Sequence, residues 1–244
     1  PPDLVAPVLV AEVTGQTIYD RYFADDTEGR ASSPYDIEPE FVTIAPDSSY
    51  ALVTLQEQSA VAVVDLNKVA ELMEADPPLT PQEIGDQALI NVIKLPHNMT
   101  DAEGGIAGAR PDGLSISPDG TFAITANEGS KKLQTAFGIS VIDLRDGPAN
   151  AEVLATYSIF DLAPELLEDT GLAEAPVQAP GEDYPDGAEL LPRIDPEDTI
   201  IFEVGCQTIC AVVLERFEKS KNIEGYDDWP KERKKKFGSV LFLD

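Results

Sequence analysis

The 244-residue chain is poor in the side chains that do most enzymatic and metal chemistry. It has one His, one Trp, two Met and two Cys, with 17 Lys and Arg against 45 Asp and Glu. Each shortage excludes something. One histidine and no Gly-x-Ser-x-Gly elbow argue against a Ser-His-Asp hydrolase. Two cysteines with no second pair, and a histidine far from them at His97, argue against zinc. The shortage of cations leaves a formal charge of −28. That opposes nucleic-acid binding, because phosphates must be neutralised by Lys and Arg. No stretch approaches the ~20 apolar residues of a transmembrane helix. The start at Pro1-Pro2, without Met or a signal-like stretch, reads as a processed or shortened chain.

What the chain does have is an internal repeat. Residues 38–66 read EPEFVTIAPDSSYALVTLQEQSAVAVVDL, and residues 110–130 read RPDGLSISPDGTFAITANEGS. Pro39, Ile44, Pro46, Asp47 and Ala51 recur at a constant offset as Pro111, Ile116, Pro118, Asp119 and Ala123. Self-similarity at a long period is the mark of a repeat architecture. In the first copy, strands are expected at 41–45, 50–55, 60–65 and 91–95, with a Pro-Asp turn at 46–49. The second copy predicts strands at 114–117, 122–126, 139–143 and 153–159, with the turn at 118–120. Four antiparallel strands per unit with Asp-Gly turns is the grammar of a propeller blade. The rival, a β-sandwich, has short strands too but needs no repeated sequence.

A degraded third copy begins at residues 184–187, with strands at 199–204 and 211–215. The run 195–198 takes the place of a turn, and 237–243 supplies one more strand. Upstream, 8–13 and 17–22 read as a hairpin across Thr14-Gly15-Gln16. Residues 67–75 and 162–170 have helical spacing, and 172–186 reads as a surface loop. The expectation is one all-β propeller domain or propeller portion over residues 1–244, with short helical inserts. Its blades fall at 38–95, 111–159 and 185–243, and the 1–37 hairpin completes a blade. Three to four recognisable blades set against the typical ~4–8 of a closed ring leave open sheet edges. Another copy of the chain, another protein or a further part of the same gene product is expected to cover them.

The stretches 38–66 and 109–130, and more weakly 185–205, resemble the choice-of-anchor I proteins and the wider class of propellers with repeated Ser-Pro-Asp-Gly signatures. The resemblance implies a secreted or surface-anchored β-propeller, extracellular or periplasmic in place. It also implies domains that are non-catalytic or unassigned in function, sometimes sharing a fold with phytase-like and esterase-like propellers. Members are usually longer, so the chain looks like a part of one or a shortened relative.

Blade geometry selects the candidate site residues. Glu38, Glu40 and Asp112 precede the first strand of their blades, and Asn127 and Glu128 follow a second strand. Acids recurring at matching places around an axis could bind Ca2+, which takes carboxylate and carbonyl oxygens. The competing reading is that they cap turns and bond backbone amides. The bulk charge carries the same ambiguity between a solvated surface suited to high ionic strength and divalent-cation binding. Asp183, Asp186 and Glu189 form a second acidic loop without EF-hand spacing. A basic stretch, Lys231 to Lys236, could dock on an acidic neighbour or stay solvated. Cys206 and Cys210 are too far apart to bond within one straight strand, at about 13 Å. Across a tight three-residue turn they would come within reach of a disulfide, so a disulfide and two buried thiols both stand. Asn98-Met99-Thr100 fits the N-glycosylation sequon, which has meaning only in a eukaryotic secreted chain. The functional expectation is a non-catalytic binding or structural module. The alternative is a calcium-dependent hydrolase of the phytase-like or lactonase-like kind.

Overall fold

The computed structural model describes residues 8–97, 99–100, 106–128, 138–162, 193–218 and 239–243. Among them the chain is all-β, with three antiparallel sheets of three or four strands and a few short helices. The N-terminal part is the first departure from expectation. Residues 8–14 carry no regular structure, and the expected hairpin across 14–16 is absent. Instead, the Thr14 hydroxyl accepts the Thr17 amide and starts helix α1 (Gly15–Ile18), which runs on as a π-helical turn at Tyr19–Phe23. Packing explains the preference. The helix puts Ile18 and Phe23 together on one side, and both are buried against the first sheet. Burial of such side chains stabilises by roughly 1.5–3 kcal/mol each, and an isolated two-stranded hairpin has no comparable core.

The first sheet is a plain meander of β1 (Pro39–Ile44), β2 (Tyr50–Leu55), β3 (Ala60–Asp65) and β4 (Leu89–Lys94). Between β3 and β4 sit α2 (Leu66–Met73) and α3 (Pro81–Ala88). Asp65 caps α2, and Thr80 with Glu83 forms a reciprocal capping box at α3. A short pair, β5 (Met99–Thr100) and β6 (Ile106–Ala107), leads to the second sheet. That sheet is β7 (Pro111–Ile116), β8 (Phe122–Asn127), β9 (Gly138–Asp143) and β10 (Glu152–Ser158), again a meander.

The sequence echo is a structural one. Ile44 lies opposite Ala51, and Ile116 lies opposite Ala123. Pro39 pairs with Leu55 and Pro111 with Asn127, each followed by a register shift. The turns match as well. The Asp47 carboxylate accepts the Ser49 amide and hydroxyl, and Asp119 accepts the same pair from Thr121. The Ser49 bonds at Asp47, and at Asp119 the Ser117 hydroxyl followed by the Thr121 bonds, hold both carboxyls below the usual range. Ser48 and Gly120 fill the same left-handed position, at φ 63° and 72°, which glycine takes without strain.

After α4 (Ile159–Leu162), the third sheet consists of β11 (Arg193–Val204), β12 (Gln207–Glu218) and β13 (Ser239–Leu243). Here too the structure corrects an expectation. The run 195–198 is not a turn but part of β11, where register shifts flank Pro196. Proline has no amide to give the ladder, so the strand bulges there and continues. The strands expected at 199–204 and 211–215 are correspondingly longer. Residues 184–192 and 237–238 lie outside the described residues, as do 163–170 of the second expected helix and the 172–186 loop.

The three sheets stack face on face. Leu52, Val61, Val63 and Ile93 of the first sheet pack on Leu114, Ile116, Ala123 and Ile142 of the second. The other face of the second sheet, through Ile124 and Ile139, packs on Ile201, Val212 and Leu214 of the third. The N-terminal segment covers part of the first sheet's outer face. The outer face of the third sheet keeps Ile200, Val213, Val240 and Phe242 exposed.

A candidate metal centre between the second and third sheets

The first strands of the three sheets, β1, β7 and β11, lie next to one another. Gly113 on β7 shows how close the approach is. A Cβ there would stand 2.4 Å from the Asp198 Cα and 2.5 Å from the Glu197 carbonyl oxygen, so only glycine lets the two backbones meet. The contact is tied by side chains. The Ser115 and Thr199 hydroxyls lie 2.8 Å apart, and Thr199 donates to the Ile124 carbonyl at 3.2 Å. On the other side, Thr54 Oγ1 donates to the Asp112 carbonyl at 3.1 Å and accepts the Phe41 amide at 2.9 Å. The bulge that follows Pro111 thus holds Asp112 between two sheets.

At this junction the carboxylates of Asp112, Glu128 and Glu197 converge. One oxygen from each lies within 4.8 Å of the others, and all three residues are half-buried. The Glu128 amide donates to the Arg110 carbonyl at 3.0 Å, which fixes the residue just past β8 beside the start of β7. Glu197 arrives on the bulged part of β11. Three carboxylate oxygens gathered in this way could hold a hard, oxygen-seeking metal ion. Oxygen donors alone exclude the soft-metal alternatives.

Of the residues singled out from sequence, the structure brings together Asp112 and Glu128. Glu38 and Glu40 are exposed at the start of β1 and stand outside the cluster. Glu38 serves through its backbone, which accepts the Gln56 amide and donates to the Gln58 side chain. Asn127 is fully buried and its amide is spent inside the second sheet. It accepts from Thr125 Oγ1 at 2.8 Å and donates to Ser140 Oγ at 2.9 Å, and Ser140 Oγ lies 2.8 Å from Thr156 Oγ1. Glu197 was missed because its Asp-Pro-Glu-Asp setting reads as a turn. The acidity of that run was the available signal.

The cysteines do not bond. Gly205 and Cys206 form the hairpin tip between β11 and β12, which leaves Cys206 exposed, while Cys210 lies back along β12 opposite Ile201. Of the two alternatives, neither holds as stated: the turn contains Cys206 itself, so the two do not bond, and only Cys210 is buried. Burial pushes the Cys210 thiol up to about 11. Asn98, Asp183, Asp186, Glu189 and the basic 231–236 stretch lie outside the described residues.

A second polar cluster, not anticipated from sequence, pins the N-terminal segment to the first sheet. Arg30 is buried and donates to the carbonyls of Gln58, Ser59 and Leu95 at 3.2, 3.1 and 2.8 Å, with Asp26 and Glu28 beside it. Ser59, at φ 49°, accepts the Arg110 amide at 3.2 Å and lies 3.3 Å from His97 Nδ1. Ser59 is wholly buried, so its hydrogen bond with His97 lies inside the fold. Arg110 in turn forms a two-pronged ion pair with Glu57.

No helix among the described residues is long and apolar enough to cross a membrane. No curated protein matches the sequence. Among solved structures, the chain is similar to Kuenenia stuttgartiensis hydrazine synthase, at 20% identity over 85% of this chain and 34% of that one, with a TM-score of 0.42. A Lactobacillus plantarum protein matches at 13% identity over 86% and 46%, with a TM-score of 0.39. The periplasmic gluconolactonase of Pseudomonas aeruginosa matches at 16% identity over 73% and 34%, with a TM-score of 0.37. The chain spans less than half the length of each. Residues 15–74, from α1 through the first three strands of the first sheet to the end of α2, match the choice-of-anchor I domain, the family that the repeat resembles.

Proposed function

We propose that the chain is a run of three β-propeller blades that acts at the cell surface as a non-catalytic binding module. In this reading Asp112, Glu128 and Glu197 hold Ca2+. The observation that carries it is the convergence of acids where the innermost strands of two blades meet. The meander order, the shared register and the matching Asp47 and Asp119 turns support the propeller. The choice-of-anchor I match supports the surface location.

Like charges gathered this closely repel one another in the partly buried junction. A divalent cation turns that repulsion into attraction and ties the second sheet to the third. Calcium would then set the relative position of two blades and so the shape of the face they present. The test is thermal unfolding of chelator-treated protein. Added Ca2+ should raise Tm saturably and more than Mg2+ does, by mass action on the folded state. Asp112→Asn should abolish that rise, with the metal-free Tm unchanged or higher. A rise no larger than an equal ionic strength of NaCl produces would overturn the calcium reading. Turnover of lactones or phosphate esters that is lost in Asp112→Ala would replace the binding module with a hydrolase.

A further inference from the structure

We propose that the cavity between the N-terminal segment and the end of β4 binds a neutral sugar. The cavity holds about 310 Å³, at the lower end of ordinary ligand sites of roughly 300–1,000 Å³. Its walls are the π-helical turn Tyr19–Phe23, the residues just after that turn, and Lys94. A π-turn carries one residue more than an α-helical turn, and such bulges recur at functional sites. The segment is anchored at two points. Arg21 donates to the Asp86 carbonyl at 2.9 Å, and Arg30 donates to the carbonyls of Gln58, Ser59 and Leu95. The cavity is therefore built before any ligand arrives.

Asp26, in the cavity wall, indicates the ligand. Its side chain is only 6% exposed. A carboxylate has about four sites for donors, and leaving them empty in a buried place is costly. Asp26 receives one long hydrogen bond, from the Glu28 amide at 3.4 Å, and its Oδ2 receives none. The cations beside it, Arg30 Nε and Lys94 Nζ, stand off at 3.4 Å. The carboxylate is short of donors, and a ligand that brings hydroxyl groups would supply them. The mixed charge of the wall narrows the class further. A free anion would meet Asp20, Asp25 and Asp26 in a chain of charge −28. A metal ion would meet Lys94 and, behind Asp26, Arg30. A hydroxyl both donates and accepts. Neighbouring hydroxyls of one sugar can give to Asp26 and Asp25 and take from Lys94 without adding charge. The acid cluster at Asp112 has no part in this site.

Saturation-transfer NMR on the 244-residue chain in EDTA tests it, with the methyl glycosides of glucose, galactose, mannose and N-acetylglucosamine as probes. At least one should receive saturation and raise Tm saturably, and inorganic phosphate should do neither. Lys94→Met should abolish the saturation transfer. That change also takes an ion pair from the buried Asp26 and can lower Tm, so a second variant is needed. Asp25→Asn, at an exposed position, should weaken binding by about tenfold or more and keep the circular-dichroism spectrum and Tm of the parent. Asp112→Asn should bind the sugar as the parent does, which separates this site from the acid cluster. Failure of all four glycosides would overturn the proposal. So would undiminished binding in either the Lys94 or the Asp25 variant, or a response to phosphate in place of the sugars.

Discussion

His97 is the chain's only histidine, so its titration can be followed without overlap. Burial and the Arg30 guanidinium lower its pKa, with Glu28 and Asp26 opposing more weakly. Ser59, Gly108 and the Arg110 amide complete its surroundings. A histidine whose folded pKa is depressed favours folding in its neutral form. Its contribution is fully present above the unfolded pKa near 6.5 and is lost as pH falls through the lower folded value. Urea midpoints between about pH 7.5 and 5 should therefore decline, and His97→Gln should flatten that part of the curve. An equally steep decline in the variant would assign the effect to other groups. Asn127 teaches a related lesson. From sequence it was a ligand candidate because it follows a strand, yet its buried amide is consumed by Thr125 and Ser140.

Gly113 decides how β7 and β11 meet. An added methyl would press on backbone atoms of Glu197 and Asp198, which cannot swing aside as a side chain could. Gly113→Ala should therefore cost about 1–3 kcal/mol in overpacking. It should also separate Asp112 from Glu197 and remove the Ca2+-dependent rise in Tm. Retention of that rise would mean that the two strands tolerate a wider gap. The strands of the first two sheets were legible because short apolar, β-branched runs recur in both copies of the repeat, and because Asp47 and Asp119 mark turns by a local mechanism. The N-terminal helix was not legible. Its stability comes from Ile18 and Phe23 packing on a distant sheet, while the β-branched and aromatic residues of 8–13 and 17–22 suggest strands. The reach of β11 through Pro196 was also hidden, since a bulge is a tertiary answer to a local strand breaker. Two of the three acids of the cluster were readable for the same reason that the strands were: Asp112 and Glu128 sit at fixed places in the repeat. Glu197 depends on how the third sheet docks, which no local pattern encodes.

The stack of sheets buries its members unequally. The second sheet is covered on both faces, by the first through Leu114 and Ile142 and by the third through Ile124 and Ile139. The first has a helical cover over part of its outer face, and the third leaves Ile200 and Phe242 in water. Every sheet is also a contiguous piece of chain, so each can open without unthreading another. Amide hydrogen exchange should therefore be layered, since regions with few buried contacts open below the global free energy. Amides of β8 and β9 should exchange last, and those of β13 first. Uniform protection across all three sheets would mean that they open as one. With layered exchange the molecule is graded from an anchored middle to a compliant end. The compliant end is the one whose outer face keeps Ile200 and Phe242 exposed, so whatever docks there meets the part of the protein that costs least to reshape.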